Sequence, residues 1–363
     1  MDYALIGCGR IAVNHIKAAI NNKLHIIAVC DAVPENMAAL LARFDLQDDP
    51  TIARYTDYKQ LLAEHPEIRL VSIATDSGSH ARIALDCIDA RVNVIIEKPI
   101  AMSMADAEAL LRRGEETGVK VCACHQNRFN LAVQQTRKAL EAGRFGRLSH
   151  GSIHVRWNRG RAYYDQAEWR GKWATDGGCL MNQCIHGIDL LRWMLGGEVE
   201  EVYGVTKRQF HDYLECEDLG MAVVKFKNGA VGTIEGTVNV YPKNLEETLY
   251  LFGETGTVKL GGTSTNNIDE WNFADEGAGD AENKGLREAT SNVYGNGHTS
   301  LFADMIDAVE HDRAPYVDAR AGRDALELVL AVYQSAATGK PVKLPLGDVA
   351  SADFAGRFEH TNL

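Results

Sequence analysis

The fold is decided by residues 3–31, which read YALIGCGRIAVNHIKAAINNKLHIIAVCD. Tyr3–Ile6 and His25–Cys30 are short, continuous apolar runs, typical of strands that are buried on both faces of a parallel sheet. Ile11–Ile20, between them, has the spacing of a helix. A glycine-rich turn, Gly7–Ala12, joins the first run to that helix. This strand–turn–helix–strand order predicts a doubly wound α/β domain with right-handed crossovers.

The same alternation continues to about residue 125, so we predict a Rossmann dinucleotide-binding domain over residues 1–125. Its other predicted strands are Leu70–Ala74, Asn93–Ile96 and Lys120–Cys124, and its other predicted helices are Glu35–Phe44, His80–Asp89 and Ala105–Thr117.

Residues 126–363 have a different texture and predict an α+β domain with a large, open, mainly antiparallel sheet. Ser149–Trp157, Gly220–Phe226 and Val231–Val240 alternate apolar and polar residues, which is typical of a sheet with one solvated face. We predict a turn at Lys227–Gly229, helices near Gly178–Met194, Leu301–Glu310 and Ala319–Ala337, and a long surface loop over Thr263–Thr290.

Composition and charge exclude several classes of protein. The net charge of −12 over 363 residues argues against a nucleic-acid binder. No apolar run reaches the roughly 18 residues that a membrane helix needs, and the first residues lead into a strand and not into a signal peptide. We therefore expect a cytoplasmic protein with no membrane partner.

Charge and cysteine content add two further expectations. Residues 144–172 contain seven basic and two acidic residues, a local net charge of +5 that would suit a small anion or a solvated loop. The eight cysteines lie mostly in apolar stretches, which predicts buried free thiols. Their spacing does not match a Cys-x-x-Cys zinc knuckle, so we predict no metal.

The turn Gly7-Cys8-Gly9-Arg10-Ile11-Ala12 predicts the cofactor. Gly7 permits the tight turn, and Gly9 lets a pyrophosphate approach the backbone. Arg10 and Ile11 open the helix, whose N-terminus favours phosphate. Asp31 ends the next strand, where a carboxylate binds both ribose hydroxyls and repels a 2′-phosphate. We therefore predict NAD and not NADP.

A lysine follows the fourth predicted strand, in Glu97-Lys98-Pro99. Ligands bind at the carboxyl edge of such sheets, so the ammonium of Lys98 can point towards a ligand. Glu97 can hold it by a charge-assisted hydrogen bond. A plain surface ion pair after a strand end is the alternative.

These two motifs together resemble the Gfo/Idh/MocA family of NAD(P)-dependent sugar oxidoreductases. The resemblance extends over almost the whole chain. More narrowly, the chain is similar to the WlbA/WbpB group in the motifs Trp169-Arg170-Gly171, Asp176-Gly177-Gly178, Asn182-x-x-x-His186 and Tyr241-Pro242-Lys243-Asn244-Leu245. That group oxidises the 3-hydroxyl of UDP-N-acetylglucosaminuronate for bacterial surface polysaccharides. The resemblance implies a homo-oligomer, either a dimer or a tetramer, and a nucleotide sugar as substrate.

The resemblance implies that Lys98 and His186 are catalytic. His186 would take the hydroxyl proton, as a histidine near neutral pKa can, and Lys98 would stabilise developing negative charge. Asn182 lies four residues before His186, which predicts one helix face for both. Inositol dehydrogenases of the family carry aspartate at this position, so an amide here fits a role in substrate binding.

Further site residues follow from the same resemblance and from their loop positions. For the cofactor we predict Thr75, His80, Glu97, Lys98, Gln126, Trp169 and Arg170. For the substrate we predict Arg128, Tyr163, Asn182, Lys243, Asn244, Tyr294 and His298, with aromatic faces for a uridine ring and cations for a diphosphate. A salt bridge that locks the two domains is the alternative for Arg128.

Two other functions stay open. The nearer is an inositol or free-sugar dehydrogenase of the same family. The farther is a non-catalytic NAD-binding sensor, against which the presence of both Lys98 and His186 argues.

Overall fold

The structure is a computed structural model that describes residues 1–290 and 295–359. The chain divides into two compact units. The first unit contains Met1–His125 and His298–Arg323, and the second contains Gln126–Gly297 and the chain from Asp324 onward. The predicted boundary at residue 125 coincides with the first division, whereas His298–Arg323 groups with the first unit and not with the second.

Six parallel strands form the sheet of the first unit, in the order β3-β2-β1-β4-β5-β6. They are β1 (Asp2–Ile6), β2 (His25–Cys30), β3 (Ala53–Tyr55), β4 (Leu70–Ile73), β5 (Asn93–Ile96) and β6 (Val121–Ala123). This strand order, which reverses between β1 and β4, is that of a dinucleotide-binding fold. The predicted Rossmann architecture is therefore confirmed.

The helices of this sheet are α1 (Ala12–Asn21), α2 (Pro34–Ala42), α3 (Tyr58–Glu64), α4 (His80–Asp89) and α5 (Met104–Thr117). The sequence prediction did not include β3 or α3, which are short and mostly not buried. The central strands are apolar throughout because both faces are covered; Leu5, Val71 and Ile95 are fully buried.

The second unit contains an eight-stranded sheet in the order β13-β12-β11-β7-β10-β9-β8-β14. Its strands are β7 (Leu148–Arg156), β8 (Val199–Lys207), β9 (Leu219–Phe226), β10 (Val231–Thr237), β11 (Glu246–Gly253), β12 (Gly256–Gly261), β13 (Asn267–Phe273) and β14 (Val342–Lys343). All neighbours are antiparallel except β7 and β10. The predicted turn between β9 and β10 is confirmed, with the Gly229 N–H donating to Phe226 O at 2.9 Å.

One face of this sheet is covered by helices and the other is open. The remaining helices of the chain are α6 (Leu131–Glu141), α7 (Arg161–Tyr164), α8 (Cys179–Asn182), α9 (Ile185–Met194), α10 (Asp280–Asn283), α11 (Gly297–Glu310) and α12 (Ala319–Thr338). Gly187 lets helix α9 pack closely on β7, because a Cβ at this position would lie 2.8 Å from Ile153. On the open face, Tyr203, Val205 and Val223 are about half exposed.

Two predictions for the second unit were wrong. The predicted loop Thr263–Thr290 contains β13, an edge strand whose apolar Ile268 and Trp271 are buried while its polar residues face solvent. The predicted helix Gly178–Met194 is two helices, because the N–H groups of both Gln183 and Cys184 bond to the Cys179 carbonyl and end α8.

Among the helices of the described residues, none has both the length and the apolar character needed to span a bilayer. The eight cysteines are buried and none forms a disulfide, as predicted.

Candidate active site

The phosphate turn follows β1 and has the predicted backbone. Gly7 has φ +94°, and a Cβ there would lie 2.5 Å from the carbonyl carbon of Ala74, so no other residue fits without displacement. A Cβ added at Gly9 would have no atom of the described residues within 4 Å. The turn is thus closed at Gly7 and open at Gly9, as a pyrophosphate site requires.

Asp31 lies at the end of β2, next to this turn. Its Oδ2 accepts the Cys8 N–H at 2.7 Å, and its Oδ1 accepts the Val33 N–H at 2.9 Å and Asn36 Nδ2 at 3.1 Å. The carboxylate is thus held in one orientation beside the N-terminal end of α1, where exposed Arg10 and half-buried Ile11 lie. These residues fit NAD, because a negative charge here suits a ribose diol and opposes a phosphate.

His80 connects the two segments that follow β4 and β5. Its Nδ1 lies 2.8 Å from Pro99 O and its Nε2 lies 3.2 Å from Thr75 O. Burial lowers the pKa of His80, which favours the neutral ring. His80, predicted to contact the cofactor, therefore lies between the carbonyl oxygens of Thr75 and Pro99, and its neutral ring donates a hydrogen bond to only one of them.

Glu97 is the centre of a buried cluster behind the backbone of Lys98. Its Oε1 lies 2.9 Å from His15 Nε2 and 3.7 Å from His298 Nε2, and its Oε2 accepts the Lys98 N–H at 3.2 Å. Burial alone would raise the pKa of Glu97, but the hydrogen bond with His15 and the nearby His298 imidazole outweigh it and hold the pKa well below its usual value. Glu97 therefore stays ionised and anchors the Lys98 backbone.

The same cluster includes the thiol of Cys124. The four donor atoms of His15, Glu97, Cys124 and His298 lie within 4.8 Å of one another, and all four residues are buried. His298, predicted in a substrate loop, lies instead in the first turn of α11. The expectation of no metal stays a prediction.

His186 belongs to the second unit and lies in α9, only 6% exposed. Its Nε2 lies 3.5 Å from Gln126 Nε2, and Gln126 also donates to Asn127 Oδ1 at 3.2 Å. Asn127 in turn contacts Glu247 Oε1 at 3.5 Å. Burial raises the pKa of Glu247 to about 8, so this carboxyl is protonated at neutral pH. The structure thus places Gln126 beside the candidate base.

Asn182 ends α8 and does not share a helix with His186, contrary to the single helix predicted for them. Its Nδ2 donates to Asp176 Oδ1, and its Oδ1 accepts from Gln183 Nε2 at 2.9 Å. Gln183 Nε2 also donates to the Tyr163 hydroxyl at 2.8 Å. The structure therefore brings Tyr163 and Asn182, both predicted to bind substrate, into one hydrogen-bond network.

Arginine and aromatic side chains cluster around Tyr163. Arg170 lies 4.2 Å from the Tyr163 ring centroid and 4.5 Å from that of Trp169. Arg159 lies 5.2 Å from the Tyr163 ring and donates to Asn244 Oδ1 at 2.9 Å. The predicted site residues Tyr163, Trp169, Arg170 and Asn244 thus belong to one cluster of the second unit, and Lys243 is exposed nearby in sequence.

Other predicted residues lie elsewhere. Arg128 forms a buried bidentate ion pair with Asp189, at 2.7 and 2.6 Å, and both residues belong to the second unit. Tyr294 lies outside the described residues. In the basic segment, Arg144 pairs with Asp280 and Arg156 with Glu235, so part of its charge is neutralised internally.

Sequence reasoning missed seven members of these clusters: His15, Cys124, Asn127, Arg159, Asp176, Gln183 and Glu247. Asp176 stands in a motif that the sequence analysis quoted, and Arg159 stands in the basic segment, so both carried a signal. His15 and Gln183 carried none, because their partners Glu97 and Tyr163 lie far away along the chain.

A parallel six-stranded sheet with this turn and carboxylate, joined to a second α+β unit, defines an NAD-dependent dehydrogenase of the two-domain type. Residues 1–125 match the Gfo/Idh/MocA family model described as an oxidoreductase family NAD-binding Rossmann fold. Residues 137–344 match the model of its C-terminal alpha/beta domain. The chain belongs to the Gfo/Idh/MocA oxidoreductase family and is an NAD-dependent sugar or polyol dehydrogenase.

Two solved structures are similar over nearly the whole chain. The WlbA dehydrogenase from Bordetella pertussis, in complex with NADH and UDP-GlcNAcA, is 35% identical, with 95% of this chain and 99% of that chain covered and a TM-score of 0.83. The WlbA dehydrogenase from Chromobacterium violaceum, with the same ligands, is 34% identical, with 96% of each chain covered and a TM-score of 0.86.

A polyol enzyme is more distantly similar. The myo-inositol 2-dehydrogenase of Thermotoga maritima is 24% identical over 266 residues, which are 71% of this chain and 74% of that protein.

Proposed function

We propose that the protein oxidises the 3-hydroxyl of a nucleotide-linked amino-sugar uronate, UDP-N-acetylglucosaminuronate, to the 3-keto sugar for surface polysaccharide biosynthesis. Bound NAD supplies the hydride acceptor. The proposal rests first on the likeness, at 34–35% identity, to two WlbA dehydrogenases whose complexes contain UDP-GlcNAcA.

Two arginines beside aromatic rings in the second unit, Arg161 and Arg170, are the observation in this chain that carries the choice of substrate. Arg161 and Arg170 form no ion pair with a carboxylate among residues 1–290 and 295–359, and each lies within 4.5 Å of an aromatic ring centroid. A nucleotide-sugar uronate carries about three negative charges, which suit guanidinium groups. A neutral inositol gives no reason for such a cluster.

Two side chains have proposed roles in proton transfer. His186 takes the hydroxyl proton, and its position beside Gln126 Nε2 supports a defined ring orientation. Lys98 donates a hydrogen bond to the same hydroxyl oxygen and stabilises its developing negative charge. Its backbone is held by ionised Glu97, which supports a fixed origin for the long side chain.

The remaining proposed contacts divide between the two ligands. For NAD they are Gly7, Gly9, Arg10, Ile11, Asp31, Thr75, His80, Glu97, Gln126, Trp169 and Arg170, of which Arg170 is proposed to contact the anionic substrate as well. For the sugar nucleotide they are Tyr163, Asn182, Lys243, Asn244 and Tyr294, because the structure places Arg128 in its buried ion pair with Asp189 and His298 in the buried Glu97 cluster.

The test is a screen of turnover and binding with NAD present. UDP-GlcNAcA should reduce NAD at a rate that free inositol does not approach, and His186→Asn should lower kcat by about 100-fold or more while NAD affinity is kept. Faster turnover with inositol would favour the alternative, an inositol or free-sugar dehydrogenase, which the Thermotoga relative supports.

We also propose a cytoplasmic homo-oligomer, a dimer or tetramer, formed through the open face of the sheet. Tyr203, Val205, Met221 and Val223 are each 45–49% exposed on β8 and β9, an apolar patch that favours association. Val223→Lys should lower the mass measured by light scattering, and an unchanged mass would argue against this interface.

A further inference from the structure

His211 is a buried histidine of the second unit, and both nitrogens of its ring face oxygen atoms. Its Nδ1 lies 2.9 Å from Asp218 Oδ2, and its Nε2 lies 2.7 Å from the Arg159 carbonyl oxygen. A carbonyl and an ionised carboxylate only accept hydrogen bonds, whereas a neutral imidazole has one N–H and one lone pair. A neutral ring would therefore direct a lone pair at one of the two oxygens. Both contacts are hydrogen bonds only when His211 is an imidazolium.

Asp218 is held as a carboxylate by donors that do not titrate. Its Oδ1 accepts the Gln209 N–H at 2.8 Å and Asn239 Nδ2 at 3.0 Å, and its Oδ2 accepts the Phe210 N–H at 2.8 Å. Burial alone would raise the pKa of Asp218, but the hydrogen bond from the His211 ring and those from these donors outweigh it and lower the pKa to about 2. Asp218 therefore carries no proton of its own to donate to the ring near neutral pH.

The groups around the His211 ring also favour its charged form. Burial alone would lower the pKa of His211, but the hydrogen bonds with Asp218 and with the Arg159 carbonyl outweigh it and raise the pKa above its ordinary value. The rings of Tyr164 and Tyr213 pack against the imidazole, with centroids 5.9 and 5.5 Å away. Burial raises the pKa of both phenols, so they stay neutral while the imidazole titrates.

The carbonyl that His211 binds belongs to the segment that leads into the arginines of the proposed substrate site. The Arg159 guanidinium lies 5.2 Å from the centroid of the Tyr163 ring. Two residues later, Arg161 lies 4.5 Å from the centroid of the Tyr213 ring, which packs on His211 in turn. The imidazolium thus holds the backbone from which both guanidinium groups extend.

We propose that His211 is a positioning residue for the substrate, which as an imidazolium bridges Asp218 and the Arg159 carbonyl and so holds residues 159–161 in place for an anionic sugar nucleotide. This inference rests on the proposed function, in which Arg161 faces an anionic substrate.

The bridge gives substrate binding a defined dependence on pH. When the ring loses a proton, it keeps its hydrogen bond to the carboxylate, which is the stronger acceptor, and turns a lone pair towards the Arg159 carbonyl. The contribution of His211 is therefore fully present below pH 6.5, the ordinary pKa of histidine, and is lost as pH rises through the raised pKa of the folded protein.

The experiment compares the wild type with His211→Gln, by measuring KM and kcat for UDP-GlcNAcA at saturating NAD from pH 6.5 upward. At pH 6.5 the variant should raise KM for UDP-GlcNAcA by about tenfold, the effect of one lost hydrogen bond to a charged group. Because the proposed proton transfer uses other residues, kcat and KM for NAD should not change. His311→Gln removes an exposed histidine that pairs with Asp307 at 2.9 Å, and this matched control should behave like the wild type.

NMR of protein labelled with ¹³C at ring carbon 2 of histidine reads the charge of His211 directly, since its signal is the one that His211→Gln lacks. The ring should be mostly imidazolium at pH 7, where an ordinary histidine is mostly neutral. The ratio of the KM values of variant and wild type should follow the protonation of this ring and fall towards one where the ring becomes neutral. A ratio that does not follow the NMR signal would count against the bridge.

Two results overturn the inference alone: a wild-type KM for UDP-GlcNAcA in His211→Gln at pH 6.5, or a neutral His211 ring at pH 7. A wild-type protein that does not oxidise UDP-GlcNAcA overturns the proposed function and the inference with it. If His211→Gln does not fold, Tyr213→Leu identifies the His211 signal by removing the neighbouring aromatic ring, and the charge of the wild-type imidazole still decides.

Discussion

Glu217 predicts a specific dependence of stability on pH. This carboxyl is fully buried, and its Oε1 accepts the Leu180 N–H at 2.9 Å and the Tyr333 hydroxyl at 2.8 Å. It thereby supports the start of α8, whose last residue is Asn182. Burial raises its pKa from 4.5 to about 8, against the opposing effect of its hydrogen bonds.

The sign of the effect follows from the proton count. Between pH 4.5 and 8 the folded protein keeps a proton on Glu217 that the unfolded chain has released, so the free energy of unfolding falls as pH rises. The slope is about 1.4 kcal/mol per pH unit in this window. From pH 5.5 to 7.5 the wild type should lose about 2–3 kcal/mol through Glu217.

Glu217→Gln removes this dependence while keeping an oxygen for the Leu180 and Tyr333 donors. The assay is urea unfolding at pH 5.5, 6.5 and 7.5, followed by tryptophan fluorescence, since buried Trp173 lies 5.1 Å from the Tyr333 ring and reports on this region. The difference between variant and wild type should grow by about 2–3 kcal/mol in the variant's favour over this range. A difference that stays constant with pH would refute the reasoning.

Two further predictions concern the phosphate turn and the buried ion pair. Gly7→Ala should destabilise the protein, because its Cβ would lie 2.5 Å from Ala74 C at φ +94°. Gly9→Ala should leave the urea midpoint unchanged and weaken NAD binding at least tenfold. Equal urea midpoints for the two variants would contradict this prediction. Arg128→Met should lower the free energy of unfolding by about 3–5 kcal/mol, because it leaves the Asp189 charge unpaired. Adding Asp189→Leu should recover most of that loss. A loss of stability that Asp189→Leu does not repair would assign Arg128 another role.

The parts of the fold that were predictable are those with local determinants. The strands of the first unit are apolar without interruption because both faces are covered, and the glycine turn between β1 and α1 needs only residues adjacent in sequence. β13 was missed for the opposite reason. An edge strand with one solvated face keeps few apolar residues, and Ile268 and Trp271 alone did not distinguish it from a loop.

The candidate site was predictable residue by residue but not as a network. His186 and Asn182 stand in a motif, yet they lie on separate helices because the Gln183 and Cys184 N–H groups both bond to the Cys179 carbonyl. The chain enters the first of these helices through Gly177 and Gly178, which have φ +85° and +96°. A Cβ at Gly178 would lie 1.8 Å from Glu217 Oε2. The path of the chain here is set by a buried carboxyl about 40 residues away, which no local pattern reports.

The basic segment shows why a count of charges is a poor guide to a binding site. Its net charge of +5 suggests an anion site over its whole length, but Arg144 and Arg156 are neutralised by carboxylates on β10, β11 and α10. Two of the other cations of the segment, Arg159 and Arg170, lie against the ring of Tyr163. A ring does not neutralise a cation as a carboxylate does, so Arg170 keeps its positive charge beside the rings of Tyr163 and Trp169.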